Sequence, residues 1–189
     1  VRLVLATRNA HKVRELGGLL DGVDLGPLPD DVVVPPESGE TYADNALIKA
    51  RAAAGALGAA AIADDSGIEA AALGGAPGVR SARYAGPDAS DEENLERFRR
   101  EVPAGSALTY VCVIAHVGAD GTEHLFEGRC AGTMAEAPRG EGGFGYDPVF
   151  VPDEAGSGQT MAELAPAEKD AISHRGRAAR ELLRWLRGR

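Results

Sequence analysis

The sequence predicts a mixed α/β fold, and two observations carry that reading. Strand-like and helix-like segments alternate through the first third of the chain. Residues 108–117 and 122–133 then read as paired strands around Asp120-Gly121, a hairpin signal foreign to a purely doubly wound parallel sheet. A chain of 189 residues suits one domain, or two tightly joined lobes, and the whole span 1–189 is expected to act as a single domain.

Each element has its own warrant. Residues 1–6 form a strand, apolar except for Arg2. Val13, Leu16, Leu19 and Leu20 recur at helical spacing, and Asp21-Gly22 ends that helix. Pro27, Pro29, Pro35 and Pro36 mark an irregular, extended stretch. A second helix is predicted over Tyr42–Leu57, with Gly58 as its stop. Residues 59–63 make a short apolar strand leading into Asp64-Asp65-Ser66-Gly67. Residues 73–87 are rich in Gly and Pro and read as loop or short turns. Ser90-Asp91-Glu92-Glu93 is a capping box opening a helix that buries Leu95 and Phe98. Residues 137–148 form a second Gly-rich loop. Ala179, Leu182, Leu183 and Leu186 are the core stripe of a C-terminal helix. There is no internal repeat or low-complexity tract.

Composition narrows the function. A net charge of −9 and a pI of about 4.9 argue against a general nucleic-acid binder, which needs a broad basic face. A small phosphate ligand needs only a local positive pocket or a bridging metal. No apolar run reaches the length of a membrane span, and the first residues lack the pattern of a signal peptide. The expectation is a cytoplasmic protein with no membrane or nucleic-acid partner. Cys112 and Cys130 lack metal spacing and read as reduced, buried fillers. Lysine occurs only three times, at Lys12, Lys49 and Lys169, which draws attention to each.

Five stretches look chemical. Thr7-Arg8-Asn9-Ala10-His11-Lys12 lies between a strand and a helix, where free N–H groups and the positive dipole end favour an anion. A capped helix with a solvated basic turn, Thr7 or Asn9 serving as cap, is the plain alternative. Glu37 follows two prolines, and Lys49 lies one turn after Asn45 in the Ala-rich helix. The plain alternative there is an acidic loop and an exposed lysine. Asp64-Asp65 follow an apolar strand, where burial disfavours charge and a divalent cation would remove the cost. Both can serve one site only if the chain bends, which Gly67 permits. Phe144 and Tyr146 sit among glycines and could stack on a planar ligand, with Asp147 accepting from its polar edge. Core anchoring by Phe144 is the alternative. Lys169 and the run Ser173-His174-Arg175-Gly176 precede the C-terminal helix. Ser173 could be only its cap, but cations there oppose the helix dipole and suggest an anionic or carbonyl-bearing partner.

Taken in order, these stretches resemble the inosine triphosphate pyrophosphatase family over nearly the whole chain. To them are added Gly74-Gly75-Ala76-Pro77-Gly78 and Ser81-Ala82-Arg83-Tyr84. The resemblance implies an elongated mixed β-sheet flanked by helices, in two lobes with a central cleft. It implies a homodimer, a magnesium requirement, and hydrolysis of ITP, dITP and XTP to the monophosphate and pyrophosphate. On that reading the triphosphate meets Thr7, Arg8, Asn9, Ala10, His11 and Lys12, with Lys49 adding charge. Magnesium sits on Glu37 and on Asp64 or Asp65, an oxygen-only set that suits it. Asp65 activates the attacking water, and Ser66 holds a nearby substrate group. Phe144, Gly145, Tyr146, Asp147, Lys169, His174 and Arg175 meet the remainder of the nucleotide. His174, Arg175 or loop N–H groups would donate to a 6-keto oxygen and be left unpaired by adenine. The rivals are a pyrophosphatase of other modified or pyrimidine nucleotides, and a nucleotide-binding regulatory module without turnover.

Overall fold

The computed structural model describes residues 2–188. Six strands form a mixed sheet in the order β2-β1-β3-β4-β5-β6. They are β1 Arg2–Leu5, β2 Asp24–Pro27, β3 Ala61–Ala70, β4 Ala107–Val117, β5 Glu123–Met134 and β6 Phe150–Pro152. The flanking helices are α1 Ala10–Leu19, α2 Tyr42–Leu57, α3 Asp91–Glu101, α4 Pro166–Ile172 and α5 His174–Arg187. Among the described residues no helix is long and apolar enough to cross a membrane.

The chain divides into two compact units. The first comprises Val1–Asp65, Cys112–Gly128 and Arg177–Arg189; the second comprises Ser66–Val111 and Arg129–Gly176. Each has its own core. In the first, Leu3, Leu5, Leu16, Leu20, Ile62, Ile114 and Leu182 pack together. In the second, Ile68, Phe98, Leu108, Tyr146, Phe150 and Met161 do so. The spacing of Leu16 and Leu20 on α1 buries them as expected, whereas Val13 is exposed.

Strand β1 pairs in parallel with β2 (Leu3↔Leu25) and with β3 (Leu5↔Ile62), which explains its unbroken apolar run. Buried and exposed residues alternate along β5, as for a strand with one solvated face. The hairpin strands β4 and β5 are neighbours, and β6 runs antiparallel to β5. Helix α2 keeps its predicted bounds, closed at its start by the Thr41–Asp44 capping box. The Ser90–Glu93 box opens α3 as read, with Phe98 buried and Leu95 partly so. Both cysteines are buried and neither is in a disulfide.

Four elements differ from the sequence reading. The predicted break at residues 64–67 is absent: β3 continues through Asp64-Asp65-Ser66-Gly67 to Ala70. Its polar side chains find buried partners, described below, so their charge does not eject the strand. Two short strands, β2 and β6, end in Pro27 and Pro152. Proline gave the appearance of loop, but it is tolerated where a strand lies at the sheet edge. Helix α4 went unread because it is short and lacks an apolar stripe.

Candidate active site

In the first unit the N-terminal loop runs from β1 into α1. Asn9 is the helix cap, its Oδ1 accepting from the N–H of His11 at 2.9 Å and of Lys12 at 3.2 Å. Thr7 Oγ1 in turn accepts from the Asn9 N–H at 3.2 Å. Arg8 pairs with Asp30, its Nη1 3.4 Å from Oδ1. Its Nη2 donates to the carbonyls of Pro29 (3.2 Å), Asp30 (3.2 Å) and Val32 (3.0 Å), bracing that loop. Ala10 and His11 lie exposed in the first turn of α1. Lys12 is the residue that turns toward β3, placing Nζ 2.9 Å from Asp64 Oδ2.

The second lysine of this unit is Lys49, buried on α2. Its Nζ lies 2.5 Å from Glu37 Oε1 and 3.9 Å from Asp65 Oδ1. The exposed lysine of the plain alternative is therefore excluded. Asn45, one turn earlier and fully buried, donates from Nδ2 to Asp65 Oδ2 at 3.1 Å. Its Oδ1 accepts from the Gly39 N–H at 2.8 Å, tying the Glu37 loop to the same helix. A side chain at residue 39 would press on Asp44 Cβ at 2.5 Å and Asn45 Oδ1 at 2.8 Å, so this approach needs glycine. The Cys112 thiol lies 4.0 Å from Asp64 Oδ2.

Asp64 and Asp65 are 1% and 4% exposed, so their charges depend on these neighbours. Burial raises the Asp65 carboxyl above its ordinary value. Lys49 opposes that rise, Glu37 adds to it, and Lys12 and the Asn45 amide oppose it again. For Lys49 burial would lower the pKa, but the charges of Asp64, Glu37 and Asp65 outweigh it and hold the ammonium above its ordinary value.

Among the described residues no group of three or more His, Cys, Asp or Glu side chains is placed to hold a metal ion by itself. Magnesium does not require such a cage, since it retains waters and takes one or two carboxylates plus substrate phosphates. Glu37 and Asp65, gathered at one ammonium, offer the hard oxygen donors that suit it.

The second unit carries a separate polar cluster. Ser66 Oγ accepts from Arg175 Nη2 at 2.9 Å. Arg175 and His174 are 2% and 5% exposed, so they are not a solvated first turn. Ser173 does serve as a cap, its Oγ accepting from the Gly176 N–H at 3.0 Å. Asp147 is the hub: Oδ1 accepts from the Tyr110 hydroxyl at 3.0 Å, and Oδ2 from Lys169 Nζ at 2.8 Å and the Phe144 N–H at 3.0 Å. Gly143, at φ +70°, passes so close that a side chain there would strike the Asp147 carboxylate. Gly145 also takes a positive φ in this turn.

Phe144 is half-buried, with Lys169 Nζ 5.4 Å and the Arg175 guanidinium 5.6 Å from its ring centroid. Tyr146 is not arranged as a stacking platform. Its ring packs edge-on against Phe98 at 5.0 Å in the core, and its hydroxyl donates to the Ser81 carbonyl at 2.7 Å. Phe144 is the more exposed of the two rings. Asp147, engaged by three donors, reads as a brace for Phe144 and Lys169 rather than an open acceptor. Two buried residues of these clusters, Asn45 and Tyr110, are not among the residues that the sequence points to. Asn45 was noted only within its motif, and Tyr110 reads in sequence as an ordinary strand residue.

Fold and clusters together define an α/β protein that pairs buried carboxylates with buried lysines. The chain belongs to the Ham1 family, whose sequence profile matches residues 3–185. It is 49% identical to the dITP/XTP pyrophosphatase of Symbiobacterium thermophilum, over 98% of this chain and 94% of that protein. A solved structure of a HAM1 protein from Coxiella burnetii superposes with a TM-score of 0.87 at 39% identity, covering 100% of both chains. The crystal structure of a nucleoside-triphosphatase, or dITP/XTP pyrophosphatase, from Mycobacterium abscessus gives 0.74 at 42% identity, covering 97% of this chain and 99% of that one.

Proposed function

We propose that this protein hydrolyses non-standard purine nucleoside triphosphates (dITP, ITP and XTP) to the nucleoside monophosphate and pyrophosphate. The observation that carries the reading is Asp65: a buried carboxylate held by Asn45 at 3.1 Å and faced by Lys49 at 3.9 Å. The names of the relatives support the substrate class.

The mechanism follows from these groups. Lys12 and Lys49 bind and orient the triphosphate oxygens. Asp65, with its pKa raised by burial, accepts the proton of a water attacking the α-phosphorus. A bond forms from the water oxygen to that phosphorus, the bond to the bridging oxygen breaks, and pyrophosphate departs. The lysine charges stabilise the oxyanions as charge shifts to the leaving group. Glu37 and Asp65, with Asp64 nearby in sequence, would hold magnesium, which when bound supplies charge neutralisation and orientation of phosphate oxygens. In the second unit, Phe144 offers a stacking face, and His174 and Arg175 offer donors for a 6-keto group.

We further propose, from the resemblance described above, that it acts as a homodimer in the cytoplasm. The test of the function is a panel of nucleoside triphosphates incubated with purified protein and magnesium. Pyrophosphate release with ITP, dITP and XTP far above ATP and GTP is expected. Release of orthophosphate, or a preference for pyrimidine nucleotides, would overturn the proposal.

A further inference from the structure

Tyr110 touches His174, which the proposed function assigns to the nucleotide, and Asp147, which braces Phe144. Its hydroxyl donates to Asp147 Oδ1 at 3.0 Å. Its ring lies parallel to the His174 imidazole, 4.5 Å between centroids and 7° between planes. Phe150 packs against the same ring at 4.4 Å. These contacts link β4, the turn at Asp147 and the start of α5, and all lie within the second unit.

We infer that Tyr110 is a positioning residue for base selection, resting on the function proposed above. The hydroxyl fixes one oxygen of Asp147, while Lys169 and the Phe144 N–H fix the other. The carboxylate is thereby locked, and with it the loop that presents Phe144. The stacked ring limits rotation of His174, so its N–H meets a keto oxygen without first losing conformational freedom. A buried hydroxyl needs some acceptor, and here that acceptor is the same carboxylate that holds Lys169 and the Phe144 N–H. Burial, reinforced by the Asp147 charge, keeps the phenol protonated, so it remains a donor at any working pH.

Discrimination between inosine and adenosine triphosphates tests the role, as the ratio of their kcat/KM values. Tyr110→Phe removes the hydroxyl but keeps the ring. It is expected to lower the ratio roughly five-fold, the scale of one buried hydrogen bond, with kcat for inosine triphosphate changing by less than about two-fold. Tyr110→Leu also removes the stack and is expected to lower the ratio further. An unchanged ratio in the Phe variant, whether or not overall activity falls, would overturn the inference and leave Tyr110 a packing residue. That variant is near-isosteric, so its result stands even where the Leu variant fails to fold. Equal use of both substrates by the wild-type protein would instead overturn the proposed function, and this inference with it.

Discussion

Lys12 Nζ lies 2.9 Å from Asp64 Oδ2, an ion pair with no exposed surface on the acid's side chain. An ammonium suited to phosphate is thus already neutralising a carboxylate, and Lys49 does the same for Glu37. Adding a cation alone would displace a lysine from its acid. Adding a polyphosphate alone would pull a lysine away and leave the acid buried and uncompensated.

Magnesium and a non-hydrolysable inosine triphosphate analogue should therefore bind cooperatively. Titration calorimetry is expected to show each tightening the other by about ten-fold, within the usual range of coupling between sites. Independent binding would mean that the lysine–carboxylate pairs do not exchange partners.

Lys49→Met leaves Glu37 and Asp65 near one another without their shared cation. Removing one partner of a buried pair costs about 3–5 kcal/mol, a loss that denaturant unfolding would measure. The folded pKa of Lys49 is raised, so its contribution is complete below the unfolded lysine value of about 10.4 and disappears as pH rises through the folded one. The gap between wild type and variant should then hold across neutral pH and close in alkali. A constant gap there would assign the loss to packing.

Asp65→Asn keeps the side-chain shape and should lower kcat by about 10²–10⁴-fold, the scale of a lost general base. Its stability should move the other way. The folded carboxyl has a raised pKa, so between the unfolded and folded values the native state holds more protons, and wild-type stability falls as pH climbs through that window. The Asn variant lacks that fall, so its melting temperature should gain on wild type from acid toward neutral pH in chelator-treated samples. Near wild-type turnover would remove Asp65 from the base role.

His174→Ala and Arg175→Ala should each narrow the preference for inosine over adenosine triphosphate, because each deletes a donor available to a 6-keto oxygen. Arg175 also holds Ser66 Oγ at 2.9 Å, so its loss should lower kcat as well. Steady-state kinetics with both nucleotides decides it, and an unchanged ratio in both variants would place base readout elsewhere.

Much of this protein is local and hence readable in the chain. The bounds of α2, the Ser90–Glu93 capping box, the hairpin and the set of motif residues depend on spacing and on neighbours a few positions away. Tertiary structure decided the pairings: Lys12 meets an acid 52 residues on, and Tyr110 a carboxylate 37 residues on. It also turned Tyr146 into the core, gave Arg8 to the carbonyls of residues 29–32, and carried β3 through two aspartates. The reason is physical. A side chain's type sets what it can bind, but burial and partners set what it does bind, and both arise only when distant segments pack.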